Sequence, residues 1–188
     1  VYLAVIDANG LAVSLIQSIY SGFGSGLIAG DTGILLQNRG SYFSLIPGHP
    51  NELRGGRLPL HTLMPAMIDM PGRARGAFGT QGGDVQAQVH MQIVSHLVDD
   101  GATPEEAIGR PRWISGDARL DPYAVTAEAD LPWPAIEGLQ ARGHHVGQVD
   151  PGWPHAGYAQ MVLRDESTGE LSGAADPRAE GSVEVVES

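Results

Sequence analysis

A strand-like run from Arg75 to Phe78 passes through Gly79-Thr80-Gln81 into the pair Gly82-Gly83 and opens onto a helical pattern; no other stretch limits the fold as much. The first turn of a helix carries N–H groups with no partner inside the helix, so this junction favours negative charge. Two consecutive glycines let the backbone approach a ligand with no Cβ in the way and turn their N–H groups toward a developing oxyanion. The same residues also suit a plain strand-to-helix turn, and the pair alone leaves both readings open. The helix is better marked. Val85, Val89, Ile93 and Leu97 recur at i+4 spacing, Val94 and Val98 widen the stripe, and Gly101 is expected to end it. Gln86, Gln88, His90, Gln92 and His96 are expected on its exposed or half-buried surface. His90 and His96 fall on different faces of the helix and make a poor metal pair.

The 188 residues, 42% of them hydrophobic, suffice for one domain with a proper core. With 26 glycines and 13 prolines, many turns and irregular connections between strands are expected. A formal charge of -11 and a pI near 4.9 argue against nucleic acid or an anionic membrane surface as partner and favour small molecules or proteins. There is no cysteine, hence no disulfide framework, thiolate metal site or cysteine nucleophile. All 11 basic residues are arginines, which excludes a lysine Schiff base and a P-loop lysine. No apolar run approaches the roughly 18 residues of a membrane helix. Val1 to Ile6 reads as strand, not as a leader, so the chain is expected to be the product of a cut.

Val1 to Asp7 and Leu11 to Ser18 are β-rich runs around Ala8-Asn9-Gly10, a hairpin signal. Both are apolar almost throughout, which predicts that each face of their sheet is covered, as in a layered sandwich. Ser21 to Gly33 is too glycine-rich for a helix, and Gly22, Gly24 and Gly26 lack the spacing of a nucleotide fingerprint, so a close-packed loop near a site is expected. A short strand is predicted over Gly33 to Gln37, then a long connection to Pro59 that borders a site or moves. Leu63 to Met70 and Arg75 to Phe78 read as paired strands joined at Pro71-Gly72. Thr103-Pro104-Glu105-Glu106 is a capping box opening a short helix through Arg110. Beyond it we expect a strand over Tyr123 to Ala127 and a helix over Pro134 to Ala141 stopped by Gly143. Strands follow over Val146 to Val149, Ala159 to Leu163 and Leu171 to Ala174. His144 and His145 would point to opposite faces of a strand. In Asp176-Pro177-Arg178 an ion pair is expected to fix a turn, and residues 179–188 are expected to form a frayed acidic tail.

Taken in order, several stretches resemble the small, mature subunit of the γ-glutamyltransferase (γ-glutamyltranspeptidase) family. They are the hairpin from Tyr2 to Gly10, Gly22-Phe23-Gly24-Ser25-Gly26, Gly33-Ile34-Leu35-Leu36-Gln37-Asn38, Pro59-Leu60-His61-Thr62-Leu63-Met64-Pro65, Gly79-Thr80-Gln81-Gly82-Gly83, Ala107-Ile108-Gly109-Arg110-Pro111-Arg112 and Ala175-Asp176-Pro177-Arg178. The resemblance implies an α+β fold, the four-layer αββα sandwich of N-terminal nucleophile hydrolases. Residues 1–188 would be one domain, the small subunit of a heterodimer made when a precursor cleaves itself. It implies a threonine nucleophile at the new N-terminus with its own α-amine as general base. An acyl-enzyme formed from a γ-glutamyl or related N-acyl compound then passes its acyl group to water or an amine. Gly82 and Gly83 correspond to the oxyanion hole, and Ser18 stands where the family has a hydroxyl supporting the nucleophile. Tyr20, Asn38, Arg39, Tyr42, His61 and Thr62 match substrate-binding positions. The implied partners are the large subunit and a small-molecule amide, with no metal or organic cofactor. Family members occur both exported and in the cytoplasm, which leaves the compartment of what is expected to be a bacterial-type soluble protein open.

Two departures accompany the resemblance. By the hairpin register the threonine belongs immediately before Val1, and Val1 offers no nucleophile; a non-catalytic binding subunit is the alternative if the natural mature chain lacks it. Members that prefer γ-glutamyl groups hold the α-amine with Asn, Gln and Asp and the α-carboxylate with a Ser-Ser pair. Tyr20, Arg39, Tyr42, His61 and Thr62 at the matching positions remove the negative partner of an ammonium and add a positive charge. The chain is therefore similar to the γ-glutamyltransferase-like branch with an altered glutamate pocket, and an acylase of the cephalosporin-acylase kind is a second reading. Arg39 either pairs with a carboxylate on another acyl group or makes an ordinary structural ion pair.

Overall fold

The computed structural model of the protein describes residues 1–116 and 124–186. The chain divides into two compact units: Val1 with Gln17–Leu63, and Tyr2–Ile16 with Met64–Ser188. In chain order the larger unit carries β1 (Tyr2–Ile6), β2 (Ala12–Ile16), β3 (Ala66–Met70), β4 (Ala74–Gln81), α1 (Gln86–Val98), α2 (Pro104–Gly109), β5 (Trp113–Ser115), β6 (Ala124–Glu128), α3 (Trp133–Ala141), β7 (His145–Val149), β8 (Tyr158–Asp165) and β9 (Leu171–Ala175). The mixed α+β composition is the expected one. Tyr123, the predicted first residue of β6, lies outside the described residues.

β1 and β2 form the predicted antiparallel hairpin, with Tyr2 opposite Ile16 and Ile6 opposite Ala12. Its turn is wider than an Asn-Gly pair: Asp7 Oδ1 accepts the N–H groups of Asn9 at 2.9 Å and Leu11 at 2.8 Å, and Gly10 N donates back to Asp7 O. β3, β4, β8 and β9 make a four-stranded antiparallel sheet in that order. Side chains alternate across β4. Phe78 points to the face where Val89, Ile93, Leu97 and Ile108 of the helices join Met161 and Leu163 in the core. Gly79 faces the other side, under the ring of Tyr2. A Cβ there would lie 2.4 Å from Tyr2 Cε2, so the hairpin can sit on the sheet only because residue 79 is glycine. Hairpin, sheet and helices are thus three successive layers of this unit.

The outer face of the hairpin departs from expectation. Leu3, Val5, Val13 and Leu15 are 46–51% exposed, so only one of its two apolar faces is covered. On α1, Val89, Ile93 and Leu97 are buried as predicted, each contributing roughly 1.5–3 kcal/mol. Val98 is exposed, because nine residues at about 100° each place it half a turn round from Val89. Gln86 and Gln92, expected near the surface, are buried instead. The capping box forms, with Thr103 Oγ1 accepting Glu106 N and the Glu106 carboxylate accepting Thr103 N. β5 runs antiparallel to β6, and β6 parallel to β7 with α3 as the crossover.

The smaller unit has little regular structure. The strand predicted over Gly33 to Gln37 is reduced to one bridge between Leu35 and Ile28. Ser25 N donates to Leu36 O and Leu36 N to Leu27 O, but the positive-φ glycines Gly24, Gly26, Gly30 and Gly33 interrupt any longer ladder. At Gly24 a Cβ would lie 2.2 Å from Leu36 O, which requires glycine. The long connection contains one 3-10 turn, Arg39–Tyr42, and a bridge between Ser44 and Glu52.

Candidate active site

In the smaller unit, Val1 and Gln17 continue the hairpin ladder: Val1 N donates to Gln17 O and Gln17 N to Val1 O, both at 2.9 Å. One further step in this register places Ser18 opposite the position preceding Val1. The Ser18 Oγ accepts the Tyr20 N–H at 3.0 Å, which starts the turn into the next segment.

That segment is clamped by Asn38. Its Oδ1 accepts Ser21 N at 3.1 Å, its Nδ2 donates to Ser21 Oγ at 2.9 Å, and its backbone N donates to Ile19 O. The Asn38 amide is thus tied into the loop through Ser21. Tyr20, held between these anchors, has φ of 74° and is the only non-glycine residue at positive φ among those described. Such a conformation costs about 1–3 kcal/mol and persists only where surrounding contacts impose it.

The strained turn brings the Tyr20 ring over Arg39, with the guanidinium carbon 5.5 Å from the ring centroid, a cation–π contact. Arg39 and Tyr42 sit three residues apart on the 3-10 turn and so share a side. The Tyr20 and Tyr42 rings are tilted at 4.9 Å. Arg39 is only 6% exposed. Its backbone N–H donates to Gln37 Oε1, and its Nη1 reaches Thr62 Oγ1 at 3.4 Å. Among the described residues no carboxylate pairs with it, and its buried Nε has no acceptor. Tyr20, Arg39, Tyr42 and Thr62 are therefore brought together. His61 is exposed, and its Nδ1 accepts Leu63 N at 3.2 Å.

In the larger unit, β4 ends at Gln81 and the chain turns through Gly82 and Gly83 into a 3-10 turn, Gly83–Val85, that runs directly into α1. Gly83 has φ of 57°, a left-handed conformation that favours glycine. A Cβ on Gly82 would press on Val85 Cγ2 at 3.1 Å. Neither N–H has an acceptor among the described residues. Tyr2, at the start of β1, packs on Gly79, so the two strand ends lie side by side. An open depression of about 590 Å³ at the ends of β6 and β7, lined by Ala129 and residues 148–154, contains none of these groups. Among the described residues no group of three or more His, Asp or Glu is placed to hold a metal ion. No described helix is long and apolar enough to cross a membrane.

The smaller unit thus sets an arginine against tyrosines, and the larger, mixed α+β unit carries after β4 a glycine N–H pair with no acceptor among the described residues. A family model described as Gamma-glutamyltranspeptidase matches residues 1–186, and the chain belongs to that family. It is 45% identical over 182 residues to the glutathione hydrolase-like YwrD proenzyme of Bacillus subtilis (strain 168), covering 96% of this chain and 34% of that protein. It is 38% identical over 183 residues to the oxamate amidohydrolase proenzyme of Klebsiella pneumoniae, covering 97% of this chain and 34% of that protein. Among solved structures it is similar to a cephalosporin acylase from Bacillus halodurans, with a TM-score of 0.90 and 38% identity over 100% of this chain and 34% of that one. The chain thus spans about a third of the length of these relatives.

Proposed function

We propose that this chain is the small subunit of an N-terminal nucleophile amide hydrolase or acyltransferase, released when a precursor cleaves itself. A threonine immediately before Val1 supplies the hydroxyl that attacks the amide carbonyl, and its α-amine takes the proton. The tetrahedral intermediate expels the amine and leaves an acyl ester on the threonine. Water or a second amine then attacks that ester and regenerates the hydroxyl. The observation that carries this reading is the pair of N–H groups on Gly82 and Gly83, which have no acceptor among the described residues, in a family whose members include a hydrolase proenzyme and an amidohydrolase proenzyme. Donors of this kind are typically worth about 100- to 1,000-fold in kcat. The register that sets Ser18 opposite the residue before Val1 supports its role beside the nucleophile. The uncovered outer face of the hairpin supports a fourth layer supplied by the large subunit, which would complete an αββα sandwich.

The relatives' names span glutathione, oxamate and cephalosporin chemistry, and what they have in common is an amide bond. A second reading, an acylase, is favoured by the likeness to the cephalosporin acylase and because, among the described residues, no carboxylate pairs with Arg39 that could hold an ammonium. Maturing the full natural precursor and determining the intact mass and N-terminal sequence of the small subunit tests the proposal. A threonine ahead of Val1 and release of p-nitroaniline from acyl anilides are expected. An uncut precursor, or a mature chain beginning at Val1, would overturn it. Rapid turnover of a γ-glutamyl anilide favours the transferase reading; resistance of that compound while other N-acyl amides are cleaved favours the acylase.

A further inference from the structure

We propose that Arg39 is the receptor for a free carboxylate on the acyl group, so that the preferred substrates are monoamides of dicarboxylic acids carrying no ammonium. The inference rests on the amide-hydrolase reading and adds the substrate class. A guanidinium stays protonated, and burying one without an acidic partner is unfavourable unless something else compensates it. The other arginines of comparable burial show the usual solution: Arg112 pairs with Asp176, and Arg178 with Glu128 and Asp176. Arg39, only 6% exposed, has instead one long contact to Thr62, the face of Tyr20, and a buried Nε with no acceptor among the described residues.

The surroundings are built to hold that arrangement. Asn38 and Ser18 fix the segment on which Tyr20 adopts its left-handed backbone, and the strain is spent on setting an aromatic ring over the cation. The ring holds the guanidinium in place and leaves its in-plane donors to another group. Nε together with an Nη makes one edge of the planar fork that matches the two oxygens of a carboxylate. An ammonium at the same place would meet a like charge and no described acid. An acyl chain ending in a methyl group would leave the Nε donor unsatisfied, the asymmetry by which a buried polar site rejects a substrate lacking the matching group.

The test uses the mature two-subunit protein and p-nitroanilides of succinate, glutarate and adipate. These are set against the neutral butyryl, valeryl and hexanoyl compounds of equal length and against 5-aminopentanoyl anilide. At the best chain length, kcat/KM for the carboxylate compound is expected to exceed that of its neutral counterpart by about 30-fold or more. Arg39→Met should collapse this ratio toward one. Arg39→Lys, which keeps the charge and loses the fork, should leave an intermediate ratio. Arg57→Met, at an exposed arginine, should leave it intact. Equal rates for carboxylate and neutral compounds in the wild type, or a ratio indifferent to Arg39→Met, would overturn the proposal. Failure to cleave any anilide after maturation would count against the hydrolase reading alone. Binding then decides the matter, as calorimetry should show glutaramate bound and valeramide not, with glutaramate binding lost in Arg39→Met. Absence of glutaramate binding in the wild type would overturn the inference, and the wild-type comparisons stand even if the Met variant fails to mature.

Discussion

Two carboxylates and two guanidiniums are held out of water together in the larger unit, with side-chain exposures of 0–4% for Glu128, Asp176, Arg112 and Arg178. Each acid is saturated. Glu128 accepts Arg112 N at 2.7 Å, Gly152 N and Trp153 N at 2.9 Å, and the Arg178 guanidinium. Asp176 accepts Arg112 Nη2 at 2.6 Å, Ala159 N at 2.8 Å and Arg178 Nη1 at 3.2 Å. Arg178→Met should cost about 3–5 kcal/mol in urea unfolding of the mature protein, because it leaves both acids short of a partner. Arg54→Met, at an exposed pair with Glu52, should leave the urea midpoint essentially unchanged. Burial alone would raise the Glu128 carboxyl, but Arg178 and the backbone donors hold it below the ordinary range. With the folded value below the unfolded one, its stabilisation is complete above about pH 4.3 and lost as pH falls through the folded value. A Glu128→Gln variant should therefore show a flatter acid limb. Half of this network was legible: Asp176-Pro177-Arg178 reads as a turn with an ion pair, and the pair is there at 3.2 Å. Glu128 was not, since an acid in Ala127-Glu128-Ala129-Asp130 looks solvated until β6 delivers it beneath the 152–153 turn. The same holds for Arg39, whose charge is visible in the sequence while its burial without an acid is a tertiary fact.

At the scale of elements, α1 shows what periodicity conveys and what it hides. The i+4 stripe of Val89, Ile93 and Leu97 packs as predicted. The glutamines between them have a role that no spacing announces. Gln92 donates Nε2 to Trp113 O at 2.8 Å and accepts Trp113 N at 3.2 Å, while Gln88 makes the same paired contact with Ser115, both bonds at 2.8 Å. Two side-chain amides, one helical turn apart, thus bond along the edge of β5 where a neighbouring strand would. Gln92→Ala should destabilise the protein by about 1–3 kcal/mol, because it strands both backbone groups of Trp113, and denaturant unfolding reads the change. A loss below a few tenths would mean that water replaces the amide. A glutamine of this kind looks identical in sequence to an exposed one, so spacing alone places it near the surface. The opposite error occurred at Gly33 to Gln37, where a β-rich composition suggested a strand but the flanking positive-φ glycines allow one bridge only.

At the scale of the molecule, the hairpin carries the last test. Its two strands are apolar on both faces, the composition of a sheet covered on each side. In this chain the inner face meets the sheet through Tyr2 and Gly79, while Leu3, Val5, Val13 and Leu15 remain about half exposed. β2 also has no described strand on its other edge, which leaves backbone donors and acceptors unpaired. An apolar face and an open edge on one element are what a missing neighbour would cover, and the chain spans only 34% of its relatives' length. We expect the remainder of the precursor to pack there. Val5→Asp with Val13→Asp, introduced into the full precursor, should then bury two unpaired charges at the junction and block both self-cleavage and retention of the large subunit. Met91→Asp, on the exposed side of α1, should do neither. Gel mobility of the matured subunits and size-exclusion chromatography read the result. Normal cleavage and a stable heterodimer in the double variant would show that this face stays in water and that the large subunit is held elsewhere.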